Sequence, residues 1–370
     1  MMRTTFSLIV VLALLIGVAS PISAQTYDPA HLHALIDAGR AHLHQQRYDD
    51  ALAVFRRLTL EFPASPVGYY YLAATYHTMM RDVRVRTHEA QFDSLIQRAI
   101  TIGEQAVRAD AGDALARLYL GGAYGYRGIA QSRRGRWMAA FMDGRKALGN
   151  LRAAVALQPG LADAYCGIGL YTYWRSVKTR SLWFLPFIGD ERQQGIAQVQ
   201  RAIREGRHVA EEGAFGLLCI YYNEQDYARA LALGQDLHRR FPADLTTQYV
   251  LGLTLEGLRR WAEAEAVFRS LLKQLHDLPY RSASYQLECQ SHLARCLLAQ
   301  DRLQEARAES ETALALRGRI RLADEMNGPF YTIDEVVAQA VTFHRRLAHV
   351  VGDWRLKREA WEICCEIPEE

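Results

Sequence analysis

Large and small apolar residues recur along this chain at fixed intervals. Leu72, Leu120 and Ile168 lie 48 residues apart, and Gly121 and Gly169 directly follow the last two. Between them, apolar residues return every three or four positions, which is the period of an amphipathic helix. Small residues at fixed places let helices approach closely, and the large residues fill the space between them. The pattern therefore predicts helical hairpins that bury their apolar faces by stacking on one another.

Shorter units of the same kind lie on either side of these long ones. The segments Ala51–Phe55, Tyr227–Leu231 and Trp261–Phe268 share a pattern of alanines and large apolar residues, and the first two lead to a Phe-Pro pair. These residues resemble the tetratricopeptide repeat, a 34-residue helix–turn–helix unit with small residues and a proline at fixed positions. The resemblance implies an all-α fold, a right-handed α-solenoid, whose first helices line a concave surface.

Alignment of these positions predicts about seven hairpins, of which the second to fourth are lengthened at their tips. The solenoid is predicted over residues 25–326, with units near 32–65, 66–113, 114–161, 162–210, 211–244, 245–286 and 287–320. A capping box at Thr332–Glu335 starts a further helix. Residues 327–370 are therefore predicted to form a pair of capping helices over the end of the stack.

The first 24 residues differ in character from the rest. Arg3 is followed by a nearly unbroken apolar run from Phe6 to Val18, and small residues lead to Ala24. This order is typical of a secretory signal peptide, and the run is shorter than the ~20 residues that span a bilayer. We expect cleavage near Ala24 and a periplasmic or secreted protein, although an uncleaved anchor is the alternative.

The net charge bears on the class of partner, and the cysteine spacing bears on whether disulfides are present. The net charge is only +3, so nothing in the composition calls for nucleic acid as a partner. Six cysteines are present, but their spacing is not that of a disulfide framework, and buried thiols are the better interpretation. Cys364 and Cys365 are the pair whose oxidation state the sequence leaves open.

Motifs that carry chemistry are not found. The chain has no phosphate-binding loop, no HExxH and no nucleophile elbow, so we predict neither an enzyme nor a cofactor site. His31, His33, His42 and His44 cluster near the N terminus, but their i, i+2 spacing does not place a pair on one helical face, and no metal site is predicted.

The resemblance instead indicates binding through the concave face. Its first-helix positions correspond here to an aromatic set, which is Tyr70, His77, Tyr126, Tyr173, Trp174, Phe215, Tyr222, Asn223 and Tyr249. Aromatic residues with a polar tip suit binding surfaces, but the same rings could form the core of the stack, and the sequence leaves both open.

Two further segments are candidates for contact with another molecule. Trp183, Phe184 and Phe187 lie in an apolar loop at 181–189, and the stretch from Arg127 to Arg152 is strongly basic. The predicted function is a non-catalytic scaffold of the cell envelope that binds a protein or peptide on its concave face. The alternative is a receptor for a small apolar ligand under the 181–189 loop. Membrane contact is less favoured, and neither the partner nor the oligomeric state follows from the sequence.

Overall fold

A computed structural model describes residues 28–179 and 189–352 of the chain. Fifteen α-helices account for nearly all regular structure in these residues. They are α1 Pro29–His44, α2 Tyr48–Glu61, α3 Val67–Val83, α4 Glu89–Ala109, α5 Ala114–Arg133, α6 Trp137–Leu157, α7 Ala164–Thr179, α8 Arg192–Glu205, α9 Ala210–Asn223, α10 Tyr227–Arg240, α11 Leu245–Gly257, α12 Trp261–Asp277, α13 Ala283–Leu298, α14 Leu303–Leu316 and α15 Ile333–Gly352.

The helices pack in sequential order, each against the next. The odd-numbered helices from α3 to α13 also contact one another, so the first helices of successive hairpins form a continuous inner layer. The predicted fold class, an all-α solenoid of stacked hairpins, is confirmed. Helices α4, α5 and α6 have 21, 20 and 21 residues, whereas α9 and α10 have 14 each, which makes the second and third hairpins project beyond the later ones.

The turn inside most hairpins has the same backbone conformation. One residue with positive φ separates the two helices, namely Gln46, Arg84, Gly135, Gln225, Arg259 or Asp301. At five of these six positions the residue is not glycine, although the left-handed region is unfavourable for residues with a Cβ atom. The packing of the two helices therefore imposes this turn, because the local sequence does not favour it.

Side chains cap several of the helices that begin hairpins. The carboxylates of Asp113 and Asp244 accept hydrogen bonds from the backbone N–H groups of Ala116 and Thr247, at 2.8 and 2.6 Å. At the start of α15, Glu335 accepts from the backbone N–H of Thr332, at 2.7 Å, and donates its own N–H to the Thr332 hydroxyl. The predicted capping box is thus present, and α15 packs on α13 and α14.

Glycines mark the closest approaches between helices. A Cβ atom on Gly121 would lie 2.7 Å from Leu151 Cγ, and one on Gly169 would lie 2.6 Å from the backbone oxygen of Gly195. Gly135 instead lies in the α5–α6 turn with φ of +73° and nothing near it. The prediction that small residues such as Gly121 and Gly169 let helices approach closely is confirmed.

The far end of the chain returns to the second hairpin. Val85, in the turn after α3, forms an isolated β-bridge with Glu325, and the N–H of Met326 donates to the carbonyl of Arg84 at 2.9 Å. Helix α3 also contacts α11 directly. The inner layer is therefore wound so tightly that early and late hairpins meet. No described helix combines the length and apolar character needed to cross a membrane.

Candidate functional site

The predicted concave-face residues lie on the inner helices and pack mainly against one another. Tyr70 makes edge contacts with Tyr71, Tyr119 and Tyr126, and His77 contacts Tyr126 with the ring centres 5.1 Å apart. These contacts form an aromatic layer between the second and third hairpins. In the described conformation this part of the predicted set contributes to the packed interior.

The later members of the set continue this layer. Tyr173 and Tyr249 are fully buried, and the Tyr173 hydroxyl donates to Glu224 and accepts from the exposed Asn223 side chain. Trp174 packs edge-on against Tyr173, Phe215 lies next to Phe241, and Tyr222 lies next to Phe330. Tyr173 and Tyr249 therefore belong to the core, which is one of the two placements that the sequence leaves open. Partner binding by this set stays a prediction.

Ion pairs across the superhelix axis close the space that these residues face. Arg40 on α1 pairs with Glu211 and Glu212 on α9, at 2.9 and 2.6 Å. Arg81 on α3 pairs with Asp244, which caps α11, at 3.0 Å. The residues joined are 163 to 172 positions apart in the chain, so each pair fastens an early hairpin to a late one.

The third such pair is the most deeply buried. Arg84 forms an ion pair with Glu288 on α13, and both side chains are more than nine-tenths buried. The guanidinium lies over the ring of Tyr285, at 3.6 Å, and near that of Tyr249, at 4.5 Å. Tyr249 donates its hydroxyl hydrogen to the second oxygen of Glu288. Each charge in this cluster therefore has a partner of opposite charge, a hydrogen bond or an aromatic face.

The Arg40 cluster is a strongly coupled set of charges. Burial by itself would raise the pKa of the Glu212 carboxyl, but Arg40 and His44 outweigh it and leave that pKa well below its usual range. The pKa of Arg40 is correspondingly raised, since its burial is outweighed by the two glutamates. Glu212 is therefore a carboxylate in the folded protein over the whole physiological pH range.

Three groups of this cluster have the spacing of a metal site. Ligand atoms of His44, Glu211 and Glu212 all lie within 4.8 Å of one another, and this is the sole such group in the described ranges. The Arg40 guanidinium already donates hydrogen bonds to both carboxylates. Because that cation neutralises the glutamates, we assign no metal to this group.

A second polar junction joins α1 to the turn before α9. His33 Nδ1 and His208 Nε2 lie 2.7 Å apart, and His208 Nδ1 contacts Asp37 at 2.9 Å. The backbone N–H of His208 also donates to Asp163 at 2.6 Å. Burial lowers the pKa of both imidazoles, so the pair is neutral at physiological pH. His33 and His44 thus hold the superhelix together, a role that local spacing does not reveal.

The outer face of the third hairpin is apolar and exposed. Trp137, Met138, Phe141 and Met142 follow one another along α6 at helical spacing, and Ile129 of the preceding helix α5 is also exposed. The exposed fractions of Trp137 and Met138 are 59% and 73%, although such residues are usually covered. We refer to these five residues as the α6 apolar face.

Basic residues precede and follow the α6 apolar face along the chain. Arg136 precedes it, and Arg145, Lys146 and Arg152 continue the same side of α6 toward its C-terminal end. Among the described residues none of these four forms an ion pair, whereas Arg127 of the same basic stretch is paired with Asp143 at 2.6 Å. The exposed part of the predicted basic stretch thus presents cationic charge beside apolar side chains.

Trp183, Phe184 and Phe187, the candidate loop residues, lie outside the described residues. The helices that flank the loop are described, and Lys178 at the end of α7 places its ammonium group 5.2 Å from the centre of the Trp137 ring. The described end of α7 therefore lies beside the first turn of α6.

Sequence reasoning identified the inner aromatic residues and missed the α6 apolar face. The sequence does contain a signal for this face, because apolar residues at 137, 138, 141 and 142 repeat at i, i+1, i+4 and i+5 inside the basic stretch. The sequence contains no such signal for the ion pairs across the superhelix axis. Arg40 and Glu212, for example, are joined only by the superhelix as a whole.

Comparisons with known proteins agree with this architecture. The family profile described as "Tetratricopeptide repeat" matches residues 22–66 and 215–279. The search of curated proteins found no match.

Solved structures that align with the chain include a Rap protein and two tetratricopeptide repeat proteins. The Rap protein, complexed with competence and sporulation factor, aligns with a TM-score of 0.50 and 10% identity, over 90% of this chain and 86% of that one. A repeat protein from Parabacteroides merdae aligns with a TM-score of 0.37 and 14% identity, over 84% and 99%. A thermophilic repeat protein from Thermus thermophilus aligns with a TM-score of 0.39 and 21% identity, over 60% and 98%.

Proteins of this repeat class are generally non-catalytic scaffolds that bind proteins or peptides, and the stacked hairpins described above have that architecture. The two matched segments include α1 and α2, and then most of α9 together with α10 to α12, and they identify these parts of the chain as tetratricopeptide repeats.

Proposed function

We propose that this protein is an exported, non-catalytic scaffold that binds a protein partner through the α6 apolar face. The observation that carries the proposal is the contiguous exposure of Trp137, Met138, Phe141 and Met142. Contiguous apolar surface of this kind is uncommon on soluble proteins unless a partner covers it. Aromatic residues and methionine are also the types enriched at the centre of protein interfaces.

The charges around this face indicate the chemistry of the partner. Four basic side chains without ion-pair partners among the described residues, Arg136, Arg145, Lys146 and Arg152, border the apolar residues. An amphipathic segment with apolar side chains on one side and acidic residues beside them would match both features. We infer a partner of that kind.

Binding on the concave face is the route that the sequence itself favours. That route requires a space between the early and late hairpins, where Arg40 now pairs with Glu211 and Glu212. Opening it would leave several charges without partners, which is costly for buried groups. The α6 apolar face needs no such rearrangement, and we therefore favour it. The small-ligand alternative under the 181–189 loop rests on residues outside the described ranges.

Site-specific photo-crosslinking in the native cell compartment tests the proposal. A crosslinker at Met138 should give a discrete protein adduct, whereas one at Leu60, a similarly exposed apolar position on α2, should not. With the identified partner purified, Trp137→Ser combined with Phe141→Ser should weaken binding by roughly tenfold or more, because interface aromatics often contribute over 1 kcal/mol each. Adducts to lipid alone, or equal adducts at both positions, would overturn the proposal.

Export is a separate part of the proposal. Its support is the sequence order of Arg3, the apolar run from Phe6 to Val18 and the small residues up to Ala24. N-terminal sequencing of protein isolated from its native location should give Gln25 or a residue close to it. Recovery of intact Met1 would contradict cleavage.

A further inference from the structure

A recess between the second and third hairpins is lined by an excess of arginines. Arg86 from the turn after α3 and Arg133 and Arg134 from the end of α5 line it, together with His77 and Glu89. The apolar side chains of Met80, Phe92 and Met326 complete its wall, and the free space inside it is small, about 20 Å³. None of its lining residues belongs to the α6 apolar face, so the two surfaces are separate.

Two of the three arginines are already neutralised. Arg86 donates to Glu89 at 2.8 Å, and Arg134 donates both to Glu89 at 2.9 Å and to Asp93 at 2.9 and 3.0 Å. The carboxylates of Glu89 and Asp93 thus neutralise the guanidinium groups of Arg86 and Arg134. The third guanidinium is left over, so the recess as a whole carries one positive charge more than its acidic residues balance.

Arg133 is that third guanidinium. Among the described residues no carboxylate lies within ion-pairing distance of it, and its Nη1 instead donates a hydrogen bond of 3.3 Å to the ring of His77. Burial, followed by repulsion from Arg133 and Arg81, lowers the pKa of His77 well below its usual value, so this ring is neutral and accepts the bond. A neutral imidazole does not compensate the charge of Arg133.

The surroundings make the uncompensated charge costly. Burial and, after it, repulsion from Arg81, Arg84 and Arg86 lower the pKa of Arg133 to about 10. Lone arginine side chains usually turn outward to water, because a charge without a counterion is disfavoured inside a protein. Here Arg133 is partly buried and lines a recess whose wall is partly apolar, an arrangement suited to an incoming anion.

We propose that this recess binds the carboxylate group of an acidic ligand, with Arg133 as its counterion. The guanidinium presents its N–H groups in a planar fork, which matches the two oxygens of a carboxylate. The narrow, partly apolar recess favours a small planar group over a bulky one. A free small acid and an acidic side chain of a peptide both carry such a carboxylate.

Thermal unfolding of the purified protein in matched salts tests this. Sodium acetate in place of sodium chloride, at equal ionic strength and pH 7.5, should raise Tm in the wild type, since a ligand of the native state stabilises it. Sodium phosphate should raise it less. A peptide with an internal glutamate and blocked termini distinguishes the sources, because a rise with this peptide assigns side-chain recognition and a rise with acetate alone assigns a free acid.

The matched variants are Arg133→Gln and Arg145→Gln. Arg133→Gln should weaken acetate binding by roughly tenfold or more, because it removes a charge-assisted hydrogen bond. In chloride it should unfold no earlier than the wild type, because it also removes an uncompensated charge. Arg145→Gln, on the exposed side of α6, should behave as the wild type in both salts.

Three results would overturn the proposal. They are the absence of any acetate effect on the wild type, an equal acetate effect on Arg133→Gln, and a response to phosphate without one to acetate. An NMR titration of the Arg133 side-chain Nε–H signal in the wild type also tests whether acetate binds at Arg133, and it does not depend on the correct folding of a variant. A shift of that signal on addition of acetate is the expected result.

Discussion

The interior of this superhelix and the outer face of its third hairpin reverse the usual distribution of side chains, in which apolar residues are buried and charged residues are exposed. Around the axis, charged side chains are paired and wholly or partly buried, as in Arg84 with Glu288 and Arg40 with Glu212. On α6, apolar side chains such as Trp137 and Met138 are exposed to solvent. Burial in the interior fastens distant hairpins together, whereas exposure on α6 contributes nothing to the stability of the isolated chain. The comparison separates residues that maintain the shape from residues that remain available to a partner.

The largest expected effect comes from breaking the buried Arg84–Glu288 pair. Arg84→Met should lower the free energy of unfolding by about 3–5 kcal/mol, because it leaves the Glu288 carboxylate buried without a counterion. Urea unfolding measures the change. Arg145→Met on the exposed side of α6 is the control and should change stability by less than about 0.5 kcal/mol.

A second substitution distinguishes lost charge pairing from lost packing in that result. Glu288→Gln added to Arg84→Met removes the unpaired charge, while its amide oxygen still accepts from Tyr249. Stability should therefore recover by roughly 1 kcal/mol or more. A double variant no more stable than Arg84→Met alone would show that packing, not charge, dominates this junction.

The next effect depends on pH and concerns the Arg40 cluster. The pKa of Glu212 is lower in the folded protein than in the unfolded chain, so its contribution to stability is complete above the ordinary carboxyl pKa and is lost as the pH falls through the folded value. Glu212→Gln should therefore cost about 2 kcal/mol at pH 7 and progressively less below about pH 4.5.

Urea unfolding at a series of pH values between about 7 and 3.5 measures this convergence of wild type and variant. Glu263→Gln, at an exposed pair with Arg260, is the matched control and should show little difference at any of these pH values. A constant gap between the wild type and Glu212→Gln across the series would contradict the assigned role of Arg40.

A smaller effect, of opposite sign, is expected from a glycine on α6. Nothing lies within 4 Å of a Cβ atom built on Gly149, so Gly149→Ala should stabilise the protein by about 0.5–1 kcal/mol through helix propensity. Gly121→Ala should destabilise it, because its Cβ atom would meet Leu151. Thermal unfolding of both variants checks the contrast, and stabilisation by both would show that the α5–α6 crossing is looser than described.

The smallest effect on stability belongs to the α6 apolar face itself. Phe141→Ser should change the free energy of unfolding by less than about 0.5 kcal/mol, since its ring is half exposed in the isolated chain. Binding of an apolar fluorescent dye should fall at the same time. Leu60→Ser provides the comparison for a single exposed apolar residue outside any patch. A large loss of stability in Phe141→Ser would show that this face is covered within the chain.

The repeat pattern was sufficient to predict the fold class and several local details. Gly121 and Gly169 lie at close crossings, and Thr332 and Glu335 form the predicted capping box. Each of these depends on residues within one hairpin or at one helix end. Side-chain size, helical period and capping chemistry decide such features locally, so a single sequence contains them.

The candidate site was less predictable. Tyr173 and Tyr249 are fully buried, whereas the sequence left groove and core open because both have the same pattern. The choice depends on how tightly the superhelix winds, and small changes in the angle between successive hairpins accumulate over the array. Packing between the neighbouring second and third hairpins brings Arg133 next to His77 and leaves it without an ion-pair partner among the described residues.

The sequence by itself thus determined the hairpins, their order and the polarity of each helix, because those follow from neighbours within a few turns of chain. Only the tertiary structure decided which inner residues would be sealed and which charges would meet. Arg40 and Glu212, Arg81 and Asp244, and Arg84 and Glu288 are brought together by the summed geometry of several hairpins. No local pattern records a contact made across the axis of a superhelix, because its geometry is a property of the whole stack.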